Sequence, residues 1–95
     1  MQISKTTLNF AKRRGIELSV VEIEDGELIA FWDDADETTG EWMFSYRNNT
    51  HELSWNGNIY LSQRVKEELP ATISSEAKLR ETIKFLADNR QDWTN

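Results

Sequence analysis

An α+β domain is what this sequence predicts: an N-terminal helix, an antiparallel sheet of about five strands, then a short and a long helix packed on that sheet. Three observations carry the prediction. Residues 16–62 are short apolar runs punctuated by the tight-turn pairs Asp25-Gly26, Asn48-Asn49 and Asn56-Gly57. The segments on either side, 1–15 and 62–89, change to helical spacing of apolar residues. No repeat, linker or low-complexity tract interrupts the 95 residues, so one domain over 1–95 is expected.

The first helix has a start and a stop. Ser4 can accept from an orphan N–H of the first turn, and Ile3 and Leu8 are spaced as a hydrophobic staple. Lys12, Arg13 and Arg14 suit the negative end of the helix dipole, and Gly15 supplies the left-handed residue that ends it. ELSVVEIE and ELIAFWD then flank Asp25-Gly26. A type I′ turn there sets Ile23 opposite Leu28 and Val20 opposite Phe31, with apolar groups on both sides of the hairpin. Either a bulge near Val20-Val21 or cover on both faces is required.

The second hairpin reads as one-sided. With Asn48-Asn49 as its turn, Trp42 faces Trp55, Phe44 faces Leu53 and Tyr46 faces His51. Met43, Ser45, Glu52 and Ser54 take the other side. Asn56-Gly57 would turn the chain into a fifth strand, NIYL, with Tyr60 joining the aromatic face. Ser62 to Leu69 is a short helix stopped by Pro70. Ser74 or Ser75 caps a longer one with Leu79, Ile83 and Leu86 on its buried stripe. The aromatic face is the best core this chain has. It resembles a single-strand nucleic-acid platform only in its rings, because such platforms sit in basic grooves.

Charge is the most uneven feature. Residues 1–14 hold four bases and no acid, residues 15–42 hold ten acids and no base, and residues 43–95 are balanced. The net charge of −6 therefore comes from the first 42 residues. Such a block bears on partners rather than on fold, and it repels phosphate, so direct nucleic-acid binding is not expected. No apolar stretch is long enough for a membrane helix. The opening MQISKTTLNF has no apolar run followed by small residues, and there is no Cys, so a cytoplasmic protein is expected.

No catalytic constellation is legible. His51 is the single histidine and sits in a strand-pair context, no nucleophile elbow or zinc-binding pair exists, and the four glycines stand apart. No enzyme activity, cofactor or metal is expected. The acidic run after Phe31-Trp32 fails as a calcium loop: Gly40 is one place late, Tyr46 stands where the closing Glu belongs, and strands flank it. Its plainest meaning is a solvated strand connection. Its functional meaning is a docking surface for a basic protein, in which Trp32 and Trp42 anchor and Asp33, Asp34, Asp36, Glu37 and Glu41 steer. One version is an inhibitor whose carboxylates mimic nucleic-acid charge. The alternatives are small-ligand or divalent-metal binding at the acidic loop, or a homo-oligomeric building block, a homodimer for example, in which Lys12-Arg13-Arg14 meets the acids of a second chain.

Overall fold

The computed structural model describes residues 1–34 and 40–94. Helix α1 spans Lys5–Lys12, strands β1 and β2 span Ile16–Ile23 and Gly26–Asp33, and β3 and β4 span Phe44–Asn48 and Leu53–Asn58. A single-turn helix α2 (Gln63–Lys66), a two-residue strand β5 (Thr72–Ile73), helix α3 (Glu76–Asp88) and a 3₁₀ turn (Arg90–Asp92) complete the chain. The strands form one antiparallel meander in the order β1-β2-β3-β4-β5. This is the α+β layout the sequence predicts.

Alternation sorts the sheet into two faces. Ile16 and Leu18 of β1, Ile29 and Phe31 of β2, Phe44 and Tyr46 of β3, Leu53 of β4 and Ile73 of β5 join one buried cluster. From the helices Ala11, Val65, Leu79, Ile83 and Leu86 complete it. The rings pack in a chain: Phe31 stacks on Phe44 with centroids 4.6 Å apart, Phe44 on Trp55 at 5.6 Å, and Trp55 meets Tyr46 edge-on at 5.4 Å. The buried Tyr46 hydroxyl donates to the Pro70 carbonyl (2.6 Å), and burial pushes its pKa upward. The aromatic set is thus core, with Trp42 as an exception described below.

Turn positions differ from the sequence reading. Ile23 pairs with Gly26, so the first turn is Glu24-Asp25 and not Asp25-Gly26. The described residues include no non-glycine with positive φ, and Gly26 alone absorbs the reversal, at φ +147°. Val20 therefore faces Ile29, and Leu18 faces Phe31. The pairing is continuous, with no bulge at Val20-Val21; β2 is instead buried on both faces, from Leu28 to Phe31. The second turn is not Asn48-Asn49. Asn48 pairs with Leu53, and residues 49–52 form the loop, closed by Asn49 N–H on the Glu52 carbonyl (2.9 Å). Tyr46 consequently faces Trp55 rather than His51. Both slips are by an even number of residues, so the paired side chains keep their faces while their partners change; Trp42 and Met43, ahead of β3, exchange faces instead.

Asn56-Gly57 is not a turn but part of β4. The register shifts between Ser45 and Tyr46, leaving Asn56 as an extra residue, and its side-chain amide donates to Ser45 Oγ (3.0 Å). A flexible pair serves a bulge as readily as a turn, because both need local departure from strand geometry. NIYL is accordingly no strand: Ile59 and Tyr60 donate to the Met43 carbonyl, and the fifth strand is Thr72–Ile73, paired to β4.

The helices are held by specific caps. Ser4, Ser62 and Ser75 each cap the helix that follows, accepting from the N–H three residues on. Gly15 ends α1 at φ +76° and lies under the Arg90 guanidinium, which a Cβ would approach to 2.9 Å. Glu76 opens α3 and also closes on α1. Its carboxylate accepts from Ser4 N–H (2.5 Å), Ser4 Oγ (2.8 Å) and Thr7 Oγ1 (3.0 Å), with Arg80 beside it. Burial pushes the Glu76 carboxyl up, but the bonds from Ser4 and Thr7 and the charge of Arg80 outweigh it, and it titrates below its ordinary value.

Candidate functional site

The segment predicted to dock a partner follows Asp33, the last residue of β2, and Gly40 is the next described residue after Asp34. The base of the segment can be built from its neighbours. Trp32 lies on the sheet face opposite the core cluster, where its indole N–H donates to Ser19 Oγ (2.7 Å) across the β1–β2 pair. Trp42 meets it edge to face, with ring centroids 5.8 Å apart and planes at 72°. The sequence placed Trp42 on the core face opposite Trp55. Met43 takes the buried position instead, its N–H donating to the Phe31 carbonyl (2.8 Å), and Phe44 after it is buried as well. Two consecutive core residues break the alternation and send Trp42 to the other side.

That second face is apolar without being part of the main core. Leu28 and Ala30 of β2 are buried on it, and Val21, Ile23, Trp32 and Trp42 are half-buried. The buried apolar side chains of the helices all join the cluster on the first face. Trp32 and Trp42 thus sit together on a face that no helix side chain of the core cluster reaches.

The acids divide into two groups. Asp33, Asp34 and Glu41 lie at the loop base; Glu22, Glu24 and Asp25 are exposed at the far tip of the hairpin. Along β2 the tip residue Asp25 and the base residue Asp33 are eight residues apart, about 26 Å at roughly 3.3 Å per residue. The single acidic surface over 22–41 implied by the sequence is therefore two surfaces. Asp36 and Glu37 lie outside the described residues.

Nor are all these acids turned outward. Asp33 is ion-paired with Arg90, whose guanidinium also stacks on Trp93 (4.4 Å) and reaches the Gly15 carbonyl (3.4 Å). Glu27 accepts from the Asn48 side-chain amide (2.7 Å). The Asp34 N–H donates to the Gly15 carbonyl (3.0 Å), which brings the basic end of α1 to the loop base. Asp33 is thereby a structural anchor, whereas Asp34 and Glu41 present exposed residues. Arg90, which fixes this corner, was not singled out by the sequence. It stands 57 residues from Asp33, and no local pattern links the two.

Among the described residues no three His, Asp or Glu side chains gather as metal ligands would. The described surface has a small apolar groove of about 170 Å³, lined by Met1, Ile3, Leu8, Leu18, Val20 and Ile29, but it belongs to the core side of β1, away from the Trp pair. No helix of the described residues is long and apolar enough to cross a membrane. No family model, no curated protein and no solved structure matches this chain.

Proposed function

We propose that this chain is a small non-enzymatic interaction module that binds a basic protein surface at the base of the 34–41 loop. The observation that carries the proposal is the Trp32–Trp42 pair. Two large rings meet on the sheet face opposite the core, with the exposed residues Asp34 and Glu41 at their margin. Clustered aromatics supply binding energy at interfaces, and carboxylates at the rim steer a cationic partner and raise the association rate. Asp36 and Glu37 add to the same charge along the chain. A partner that normally grips nucleic-acid phosphate would find an acidic surrogate here, which is the inhibitor version of the proposal.

The experiment is affinity capture from a cell extract with three baits: the native chain, Trp42→Ala, and a variant with Asp34, Asp36, Glu37 and Glu41 changed to Lys. Asp33 is left intact because it anchors Arg90. A stoichiometric protein held by the native bait, lost with both variants and released at high salt is expected. Release by added duplex DNA would identify the inhibitor version. Equal capture by all three baits sinks the proposal.

A further inference from the structure

The sheet has two edges, and they differ. On one side β5 is two residues long; on the other β1 presents eight. We propose that β1 pairs antiparallel with β1 of a second copy of this chain, about a two-fold axis through Ser19, to give a homodimer with one continuous sheet.

The polar groups for this pairing are in place. The Gly15 carbonyl accepts from Asp34 N–H, so the odd-numbered residues of β1 direct their backbone groups toward β2. The N–H and C=O of Ile16, Leu18, Val20 and Glu22 therefore point out of the sheet edge. Among the described residues no hydrogen bond from outside the β1–β2 ladder reaches the backbone of 16–23. Natural edge strands are blunted by bulges, proline, lysine or short length. β1 has no bulge, proline or lysine and runs for eight residues; of the charged side chains that also blunt an edge it carries two, Glu17 and Glu22.

Register follows from side-chain direction. A two-fold perpendicular to the sheet keeps core-side residues on the core side, so even-numbered residues must face even-numbered ones. With Ser19 on the axis, Leu18 faces Val20 of the second copy and Ile16 faces Glu22, twice each. That gives about eight new backbone hydrogen bonds. Val20 is 59% exposed and Leu8, beside it on the same apolar groove, is 39% exposed. The second copy covers both.

Charge selects a second copy over other strands. β1 is preceded by Lys12-Arg13-Arg14 and followed by the tip acids Glu24 and Asp25. Antiparallel pairing sets the cationic end of each strand beside the anionic end of the other; in this register Arg14 falls across from Glu24. Lys12 and Arg13 are exposed and make no ion pair among the described residues. The complementarity is satisfied twice by one symmetric interface. A parallel arrangement would oppose like charges at both ends.

The test is sedimentation equilibrium of the full chain and of charge-reversed variants at exposed positions. The native chain should have twice the monomer mass, falling toward the monomer as salt rises. Lys12→Glu with Arg13→Glu, and separately Glu24→Lys with Asp25→Lys, should each weaken dimerisation at least tenfold, and an equimolar mixture of the two should recover the dimer. Val20→Lys should weaken it without touching the charges. A native chain that stays monomeric at millimolar concentration overturns the proposal. So does a dimer that both charge-reversed pairs leave unchanged, since that dimer would use another surface.

Discussion

Glu76 offers the sharpest test of how the two long helices are joined. Its carboxylate takes three hydrogen bonds from the first turn of α1 and lies 3.5 Å from Arg80. Changing Glu76→Ala removes an acceptor shared by the Ser4 N–H and by the hydroxyl of the fully buried Thr7. Loss of a helix cap costs about 1 kcal/mol, and a hydrogen bond to a charged acceptor contributes roughly 1.5–3 kcal/mol where it is desolvated. Ser4 is exposed, which places its share at the low end, and the Arg80 pair is one-third exposed and adds little. The sum is about 2 kcal/mol, or a fall in Tm of about 8–16 °C for a domain of this size. The pH dependence has a definite sign. Because the folded carboxyl titrates below its ordinary 4.5, its contribution is present above that value and is lost as pH falls through the folded pKa. Thermal melts of native, Glu76→Ala and Glu76→Gln chains from pH 7 to pH 3 read this directly. The gap between native and Gln melting temperatures should narrow as the solution is acidified. A Glu76→Ala chain that melts within about 1 °C of native, or a native–Gln gap that ignores pH, refutes the clasp.

Two further substitutions probe the C-terminal corner. Trp93 is 3% exposed, donates from its indole to the Leu86 carbonyl (2.9 Å), and supports Arg90; Trp93→Ala should cost about 3–5 kcal/mol, read by urea unfolding. Gly15→Ala forces a Cβ at φ +76° and to 2.9 Å from Arg90, so a loss of about 1–2 kcal/mol is expected in the same assay, with the Arg90 side chain displaced from Asp33.

Much of the local architecture was legible because its causes are local. A serine cap acts over three residues, a left-handed glycine over one, and a buried stripe over one helix. Ser4, Ser75, Gly15 and the Leu79–Ile83–Leu86 stripe therefore stand where the sequence puts them. Face assignment in the strands was legible for the same reason, since period-two alternation survives an even slip in register. The candidate site was legible only in part. Trp32 and Trp42 do meet, with Asp34 and Glu41 exposed beside them in the sequence, but the pairing of Asp33 with Arg90 joins residues 57 apart.

Composition, charge segregation and the α+β class thus came from the sequence by itself, because each is a property of neighbours along the chain. The tertiary structure alone decided the turn lengths, the choice of Thr72–Ile73 as the last strand, the side on which Trp42 lies, and the capping of α1 by Glu76. Each of these is settled by competition among packed alternatives of similar local energy. Met43 displaced Trp42 from the core because one buried position admits one side chain, and no pattern of adjacent residues records the loser.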